Sequence, residues 1–178
     1  MTVRDAAGGT ATATDVITAR PATGGGFGCD QIDIFWVGSR RDYNCEILSS
    51  GDRPYTDSDV VLSAIPPELE NTAWIQTANR DARRGRRWIV IFRVTAPVKV
   101  MVGFDAEATR LPRWLRSCWT DEGKTVALDN GRVLNLYSRE YQPGSVVLLG
   151  GNRARGARWP RGVKPINYVV GLASGTPE

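Results

Sequence analysis

The sequence contains no histidine, and this absence excludes several kinds of active site. Without an imidazole there is no Ser-His-Asp triad, no Cys-His pair and no histidine ligand for zinc or haem. Sequence motifs for phosphate binding, dinucleotide binding and the nucleophilic serine of hydrolases are missing as well. We therefore expect a protein that is not an enzyme and that uses no cofactor and no metal.

Long hydrophobic runs are also missing. No stretch approaches the roughly 20 apolar residues that a membrane-spanning helix needs, and the longest apolar runs have the length of a strand. Residues 1–28 lack the apolar segment of a signal peptide, so none is visible in this numbering. We predict no transmembrane segment, and the sequence alone does not settle whether a signal peptide has been removed.

Cysteine is scarce, with three residues in the chain. An odd number does not make a disulfide framework, so one bridge with a free thiol and no bridge at all both stay open. Cys29 and Cys45 flank polar loops and are the better candidates for a pair. We interpret Cys118 as a small buried hydrophobic residue.

The chain of 178 residues fits one domain, predicted over residues 29–178. Its apolar content of 42% is ordinary for a globular protein. Residues 1–28 are rich in Thr, Ala and Gly, a composition that buries too little apolar surface to offset the entropy of ordering. We predict a flexible N-terminal arm there, which is either a simple tether or floppy terminus, or a segment that orders only on contact with a partner.

Short strand-like segments separated by turn residues fill the rest of the chain. No alternation of strands and helices is present, so the pattern indicates an all-β fold, an antiparallel β-sandwich or jelly roll. Residues 31–37 and 43–48 are predicted to pair across a polar turn. Residues 88–94 are apolar on both faces, which predicts a central strand covered on both sides. Residues 98–105 alternate, which predicts a half-buried strand.

A hairpin is predicted where two such segments, 124–128 and 132–137, flank Asp129-Asn130-Gly131. The Asn-Gly pair tolerates the positive φ of a type I′ turn. Further strands are predicted over residues 60–65, 74–77, 145–149 and 166–173. A proline-containing corner at 111–115 is expected to hold one helical turn.

The tryptophans fall into different settings. Trp36, Trp74 and Trp88 follow strand alternation, so we place them in the core. Trp159 stands in an Arg-rich segment, a composition that suits an interface hot spot or sugar stacking. It equally suits an indole that fixes its own loop.

Basic residues consist of 20 Arg and only 3 Lys, and they cluster in two predicted loops, 80–87 and 153–164. The loops fit a phosphate-binding patch, solvated surface, or a protein interface that pairs arginine with carboxylates. Nucleic acid is not an expected partner, because no recognition helix or aromatic–basic stacking motif is present. The candidate partner-binding residues are Arg83, Arg84, Arg86, Arg87, Arg153, Arg155, Arg158, Trp159 and Arg161.

Carboxylates could act without histidine. Asp105 and Glu107 lie at the end of a predicted strand. A glycosidase needs two carboxylates that face each other across the sugar, and nothing in the spacing establishes that. A hydrolase using Asp105 is therefore a third hypothesis, behind two binding functions.

Several motifs occur in order between residues 52 and 172. They are Tyr55-Thr56-Asp57, Ile65-Pro66, Ile75-Gln76-Thr77-Ala78-Asn79-Arg80-Asp81, the alternating Val98, Val100 and Val102 before Asp105, Ala108-Thr109, Leu111-Pro112-x-Trp114-Leu115, Trp119, Tyr137-Ser138-Arg139-Glu140-Tyr141-x-x-Gly144 and Leu149-Gly150-Gly151-Asn152. The set resembles ancillary β-sandwich modules appended to secreted bacterial carbohydrate-active and adhesion-type proteins. The resemblance implies a non-catalytic module that binds glycans or other surfaces, with no binding residues to carry over.

The chain departs from this resemblance. Glu107 stands where the modules suggest arginine, and the two loops are unusually rich in arginine. These departures favour an accessory structural subunit that docks on protein subunits of a larger assembly, such as an extrinsic subunit of a membrane-associated energy-converting or envelope complex outside the cytoplasm. The alternative is a carbohydrate-binding module of a secreted bacterial protein, with polysaccharide as its partner.

Overall fold

Ten β-strands form the framework of residues 27–176, the part of the chain that a computed structural model describes. The strands are β1 (Ile32–Val37), β2 (Asn44–Leu48), β3 (Leu62–Ala64), β4 (Thr72–Gln76), β5 (Val90–Val94), β6 (Val98–Asp105), β7 (Thr120–Leu128), β8 (Val133–Tyr141), β9 (Val146–Leu149) and β10 (Val169–Ser174). One α-helical turn, α1 (Arg113–Arg116), and 3₁₀ turns at Cys29–Gln31, Pro67–Leu69 and Asn79–Arg83 lie between them. The predicted all-β fold is confirmed.

The strands form two antiparallel sheets. The smaller has the order β1-β5-β9, and the larger has the order β2-β4-β10-β6-β8-β7-β3. Alternate apolar residues of the two sheets meet in one core, for example Val90 and Phe92 of β5 with Val100 and Val102 of β6. This is the sandwich that strand alternation predicts.

A second apolar cluster covers the other face of the large sheet. Trp74 and Met101 project to that side, where they pack with Leu62 of the edge strand β3 and with Leu69 of the 3₁₀ turn that follows it. The indole N–H of Trp74 also donates a hydrogen bond to the Leu69 carbonyl oxygen at 3.1 Å. The central strands of the large sheet are therefore buried on both faces.

Two sequence-based predictions of strand burial are wrong. Strand β5 is central in its sheet, but Ile91 is partly exposed and Arg93 is exposed, so the prediction of two covered faces is wrong. Strand β6, predicted to be half-buried, is buried on both faces apart from Lys99. The sequence around each strand does not indicate which sheet receives the second apolar layer.

Strands β1 and β2 do not pair, contrary to the prediction. Strand β1 pairs with β5, and β2 pairs with β4 in the other sheet. A disulfide between Cys29 and Cys45, with Cα atoms 5.6 Å apart, joins the two sheets at this end. Trp36, predicted in the core, is 39% exposed, because the pairing with β5 shifts register between Ile34 and Trp36.

The predicted hairpin is present as β7 and β8, but its turn differs from the expected type. Only Gly131 of the three loop residues has a positive φ, of 79°, and the Leu128 N–H donates to the Arg132 carbonyl oxygen at 2.9 Å. The Gly131 N–H donates back to the Leu128 carbonyl oxygen at 3.0 Å. A three-residue loop with a final left-handed glycine matches this geometry.

The predicted arm over residues 1–28 lies outside the described residues except for its last two. Phe27 is buried in the core, and its carbonyl oxygen accepts a hydrogen bond from the Ala73 N–H at 3.1 Å. Folded structure therefore includes Phe27. Among residues 27–176 no helix is long and apolar enough to cross a membrane.

Candidate functional site

The two Arg-rich loops predicted from the sequence lie side by side. We call residues 79–88 the first basic loop and residues 150–166 the second basic loop. The N–H groups of Gly151 and Arg153 each donate a hydrogen bond of 2.9 Å to the first loop, at the carbonyl oxygens of Arg86 and Arg84. A Cβ atom on Gly151 would lie 2.4 Å from the Arg84 oxygen, so only glycine permits this approach.

A buried carboxylate anchors the first basic loop. Asp81 accepts hydrogen bonds from the Tyr43 hydroxyl at 3.0 Å and from Arg41 Nε at 3.1 Å. The Nε atom of Arg84 lies 3.7 Å from the same carboxylate. A buried acid is stable only with such partners. Arg84 therefore helps to stabilise the loop to which it belongs.

A second buried carboxylate anchors the second basic loop. The Asp105 Oδ2 atom accepts hydrogen bonds from Arg132 Nη2 at 2.6 Å, Trp159 Nε1 at 2.9 Å and the Ile166 N–H at 3.4 Å. The Trp159 ring packs on Phe104, with ring centroids 5.8 Å apart. The polar edge of Trp159 thus points inward, and Asp105 is occupied by contacts that fix the fold.

A cleft of about 600 Å³ opens between the two basic loops and helix α1. We call it the arginine–tryptophan cleft. Two tryptophans and three arginines are among the residues that line it. The lining residues are Gly85, Arg87, Trp88, Arg113, Trp114, Ser117, Ala154 and Arg155.

The two indoles of the cleft have different surroundings. Trp114 donates its N–H to the Gly151 carbonyl oxygen at 3.2 Å and meets Trp119 and Tyr168 edge to face, with centroid distances of 6.0 and 5.8 Å. The Arg87 guanidinium lies 5.1 Å from the Trp88 ring centroid, a cation–π contact. Both rings are half-buried, so each offers part of its surface to a ligand.

The cations of the cleft are not neutralised from within. Within residues 27–176, no carboxylate lies within ion-pair distance of Arg87, Arg113 or Arg155, and no acidic residue lines the cleft. The Arg113 N–H donates to the Arg155 carbonyl oxygen at 2.8 Å, which ties α1 to the second basic loop. Such guanidinium groups suit bidentate recognition of carboxylate or sulfate oxygens.

A second cavity of about 590 Å³ lies at the other end of the same two loops. Its polar lining includes Arg80 and Arg83 from the first basic loop and Lys164 from the second, together with Arg132. Arg132 pairs with Asp105 and Glu107, and Arg80 lies 4.0 Å from Asp57. Within the described chain, Arg83 and Lys164 have no acidic partner.

The sequence-predicted residues divide among these places. Arg87 and Arg155 line the arginine–tryptophan cleft, Arg83 lines the second cavity, and Arg84 pairs with Asp81. Four others are exposed on the two basic loops: Arg86, Arg153, Arg158 and Arg161. Trp159 contacts Asp105 and Phe104. These contacts fit the second alternative given above, in which the indole fixes its own loop.

Sequence reasoning missed two contributors to the cleft. Arg113 was not singled out, and Trp88 was assigned to the core although its ring is only half-buried. The adjacent Arg113-Trp114 pair in the proline-containing corner was the available signal. Cys118, predicted as buried, is exposed at the end of this corner and carries a free thiol, because the chain after α1 runs along the surface.

Within residues 27–176 no group of three or more acidic or cysteine side chains is placed to hold a metal ion.

Comparisons with known proteins bear on the fold. No family model matches the chain, and no curated protein matches it. A solved structure described as a β-glucuronidase from glycoside hydrolase family 2 is similar over 79% of this chain, with a TM-score of 0.70 and 20% identity. A GH138 enzyme targeting pectin rhamnogalacturonan II is similar over 75%, with a TM-score of 0.51 and 11% identity.

This chain spans only 14% and 16% of the length of those two proteins. At these identities the likeness establishes the fold alone. It agrees with the β-sandwich that the resemblance to ancillary modules implied.

Proposed function

We propose that this chain is a non-catalytic carbohydrate-binding β-sandwich module, and that the arginine–tryptophan cleft holds the sugar. The observation that carries the proposal is the pairing of two half-buried indoles, Trp88 and Trp114, with three arginines that have no acid partner among the described residues. The apolar face of a sugar ring packs on an indole. Guanidinium N–H groups and the Ser117 hydroxyl can hydrogen-bond to the ring oxygens and hydroxyls.

The structural comparisons support this proposal over the docking subunit. Both similar proteins are described by their action on carbohydrates, and each is about five to six times the length of this chain. A sandwich of this kind therefore fits a role beside, or as part of, a carbohydrate-active protein.

The positions of the acidic residues support a binding role without catalysis. Glycoside hydrolysis uses two carboxyl groups on opposite sides of the scissile bond, and none lines the cleft within the described chain. Asp105, the acid that the sequence offered for a hydrolase, is buried under Arg132 and Trp159. We propose that this carboxylate maintains the second basic loop.

A compartment outside the cytoplasm fits the disulfide. Disulfides such as Cys29–Cys45 persist in oxidising environments and are rare in the cytosol. We propose that the module works in the periplasm, at the cell surface or in the medium.

The accessory subunit of a membrane-associated complex stays a prediction. No comparison supports it, and its test is a native pull-down from detergent-solubilised membranes. A stoichiometric protein complex recovered with the chain would favour that hypothesis over the carbohydrate module.

The proposed function is tested by titrating the purified protein against neutral and acidic glycans, followed by tryptophan fluorescence and calorimetry. We expect binding to at least one glycan and a loss of about tenfold in affinity in Trp88→Ala. Trp36→Ala is the matched control, because it removes an exposed indole from the outer face of the small sheet. Flat titrations against the whole panel, or equal losses in both variants, would overturn the proposal.

A further inference from the structure

The charge of this protein is concentrated on the two basic loops. Each loop carries five cationic side chains, and Asp81 is the one acid on either of them, which gives the loops a formal charge of +9. The whole chain has a formal charge of +4, so all other residues together carry −5. The positive field is thus a property of one region rather than of the composition.

These cations have few partners inside the protein. Within residues 27–176, only Arg80 and Arg84 of the ten loop cations lie within ion-pair distance of an acid. Like charges held close together raise the free energy of the folded state unless an opposite charge is supplied. The fold nevertheless fixes the two loops against each other through Gly151 and Arg153.

The two cavities lie at opposite ends of the same paired loops. The arginine–tryptophan cleft is lined by Arg87 and Arg155, and the second cavity is lined by Arg83 and Lys164. The exposed Arg153 lies along the paired segment between them. A basic strip therefore runs from one cavity to the other.

We infer, on the basis of the proposed function, that the ligand is an acidic polysaccharide whose anionic groups occupy both cavities. One sugar packs on the indoles of the arginine–tryptophan cleft, where its acid group meets Arg113 and Arg155. The chain continues along the paired loops, and a later acid group reaches Arg83 and Lys164 in the second cavity. Carboxylate and sulfate share the oxygen geometry that arginine recognises, so either group can supply the charge.

The test compares polymers that differ only in charge. Polygalacturonate is titrated against its carboxyl-reduced form, and dextran sulfate is titrated against dextran, by calorimetry at low and high salt. We expect an acidic form to bind about tenfold or more tightly than its neutral counterpart. The advantage shrinks at high salt, because mobile ions screen exposed charges. The pair that shows the effect identifies the anionic group.

Three variants locate the binding. Arg155→Gln is expected to weaken both short and long acidic chains, and Lys164→Gln is expected to weaken only chains long enough to reach the second cavity. Arg161→Gln is the matched control, since it removes the same charge from an exposed position on the second basic loop. Equal weakening by Arg161→Gln and Arg155→Gln would mean a general electrostatic attraction and would overturn the inference.

The remaining outcomes separate this inference from the proposed function. Neutral polymers that bind as tightly as acidic ones would overturn the acidic ligand and leave a carbohydrate-binding module in place. No binding to these polymers would overturn the acidic ligand, and the proposed function falls with it only if the whole glycan panel also fails to bind.

Discussion

The indole N–H of Trp159 donates a hydrogen bond to the buried Asp105 carboxylate at 2.9 Å. The same oxygen accepts a hydrogen bond from Arg132 at 2.6 Å. One acid at the end of β6 therefore holds both the second basic loop and the β7–β8 hairpin. The contacts of Trp159 with Asp105 and Phe104 fit the sequence-based alternative of an indole that fixes its own loop.

The first prediction concerns that ion pair. Arg132→Met leaves the fully buried Asp105 carboxylate without its cation, so we expect the free energy of unfolding to fall by about 3–5 kcal/mol. Urea unfolding followed by circular dichroism measures the change. The exposed Arg161→Met is the control and should stay within about 0.5 kcal/mol of the wild type. A loss below about 1 kcal/mol in Arg132→Met would contradict the structural role of Asp105.

The second prediction concerns the contact between the loops. A Cβ atom at position 151 meets the Arg84 carbonyl oxygen at 2.4 Å, so Gly151→Ala forces the backbones apart and should cost about 1–3 kcal/mol. Gly162→Ala is the comparison: its φ of 86° also disfavours alanine, but nothing lies within 4 Å of its Cβ. We expect a smaller loss there in thermal unfolding. A loss in Gly151→Ala no larger than that in Gly162→Ala would contradict the tight contact between the two loops.

The third prediction concerns the disulfide. The bridge joins residues 16 apart in sequence, and closing a loop of that size contributes about 3 kcal/mol of stability. Reductant should therefore lower the denaturation midpoint of the wild type and of Cys118→Ala equally. It should leave a Cys29→Ala, Cys45→Ala double variant unchanged. Titration of three free thiols in the native protein would contradict the bridge.

The fourth prediction concerns alkaline pH. Burial raises the pKa of Tyr43, Tyr55 and Tyr168 well above the usual 10, and nearby Asp81 or Asp105 adds to the effect. The folded protein therefore keeps these hydroxyls protonated where the unfolded chain releases its protons. The stability from these groups is complete below about pH 10 and is lost as pH rises further.

Tyrosinate absorbance checks the alkaline prediction. The protein has five tyrosines, and we expect at most Tyr137 and Tyr141 to ionise before the circular dichroism of the fold is lost. Burial raises the pKa of these two as well. Ionisation of all five in the folded protein would show that the three buried hydroxyls are open to solvent.

For strands β5 and β6, the local sequence pattern predicts the position of the strand but not its burial. The alternation in residues 88–94 and 98–105 locates both strands correctly, because side chains of a strand alternate between faces. The predicted burial of both strands is wrong, because β5 has one face that is partly exposed and β6 is buried on both faces. Leu62 and Leu69 cover Met101, and both lie far from β6 in the sequence. The local sequence of β6 therefore does not predict this burial.

The residues of the candidate site are also predicted only in part by the sequence. Arginine clustering marked both basic loops, and Arg87 and Arg155 do line the arginine–tryptophan cleft. Arg113 was missed because it was interpreted only as part of a proline-containing corner, although Arg110 and Arg116 lie on either side of it. In the sequence Arg84 is equivalent to Arg87, but in the structure its guanidinium group lies within ion-pair distance of the Asp81 carboxylate.

The sequence by itself determined the class of fold and the chemistry that is absent. Turn residues between short alternating segments leave an antiparallel β-protein as the way to bury those apolar faces, and a chain without histidine has no imidazole catalysis. Only the tertiary structure decided which charges meet. Hydrogen bonds between the first and second basic loops join residues far apart in sequence, and pairing with Asp81 or Asp105 depends on distances that only the folded chain defines.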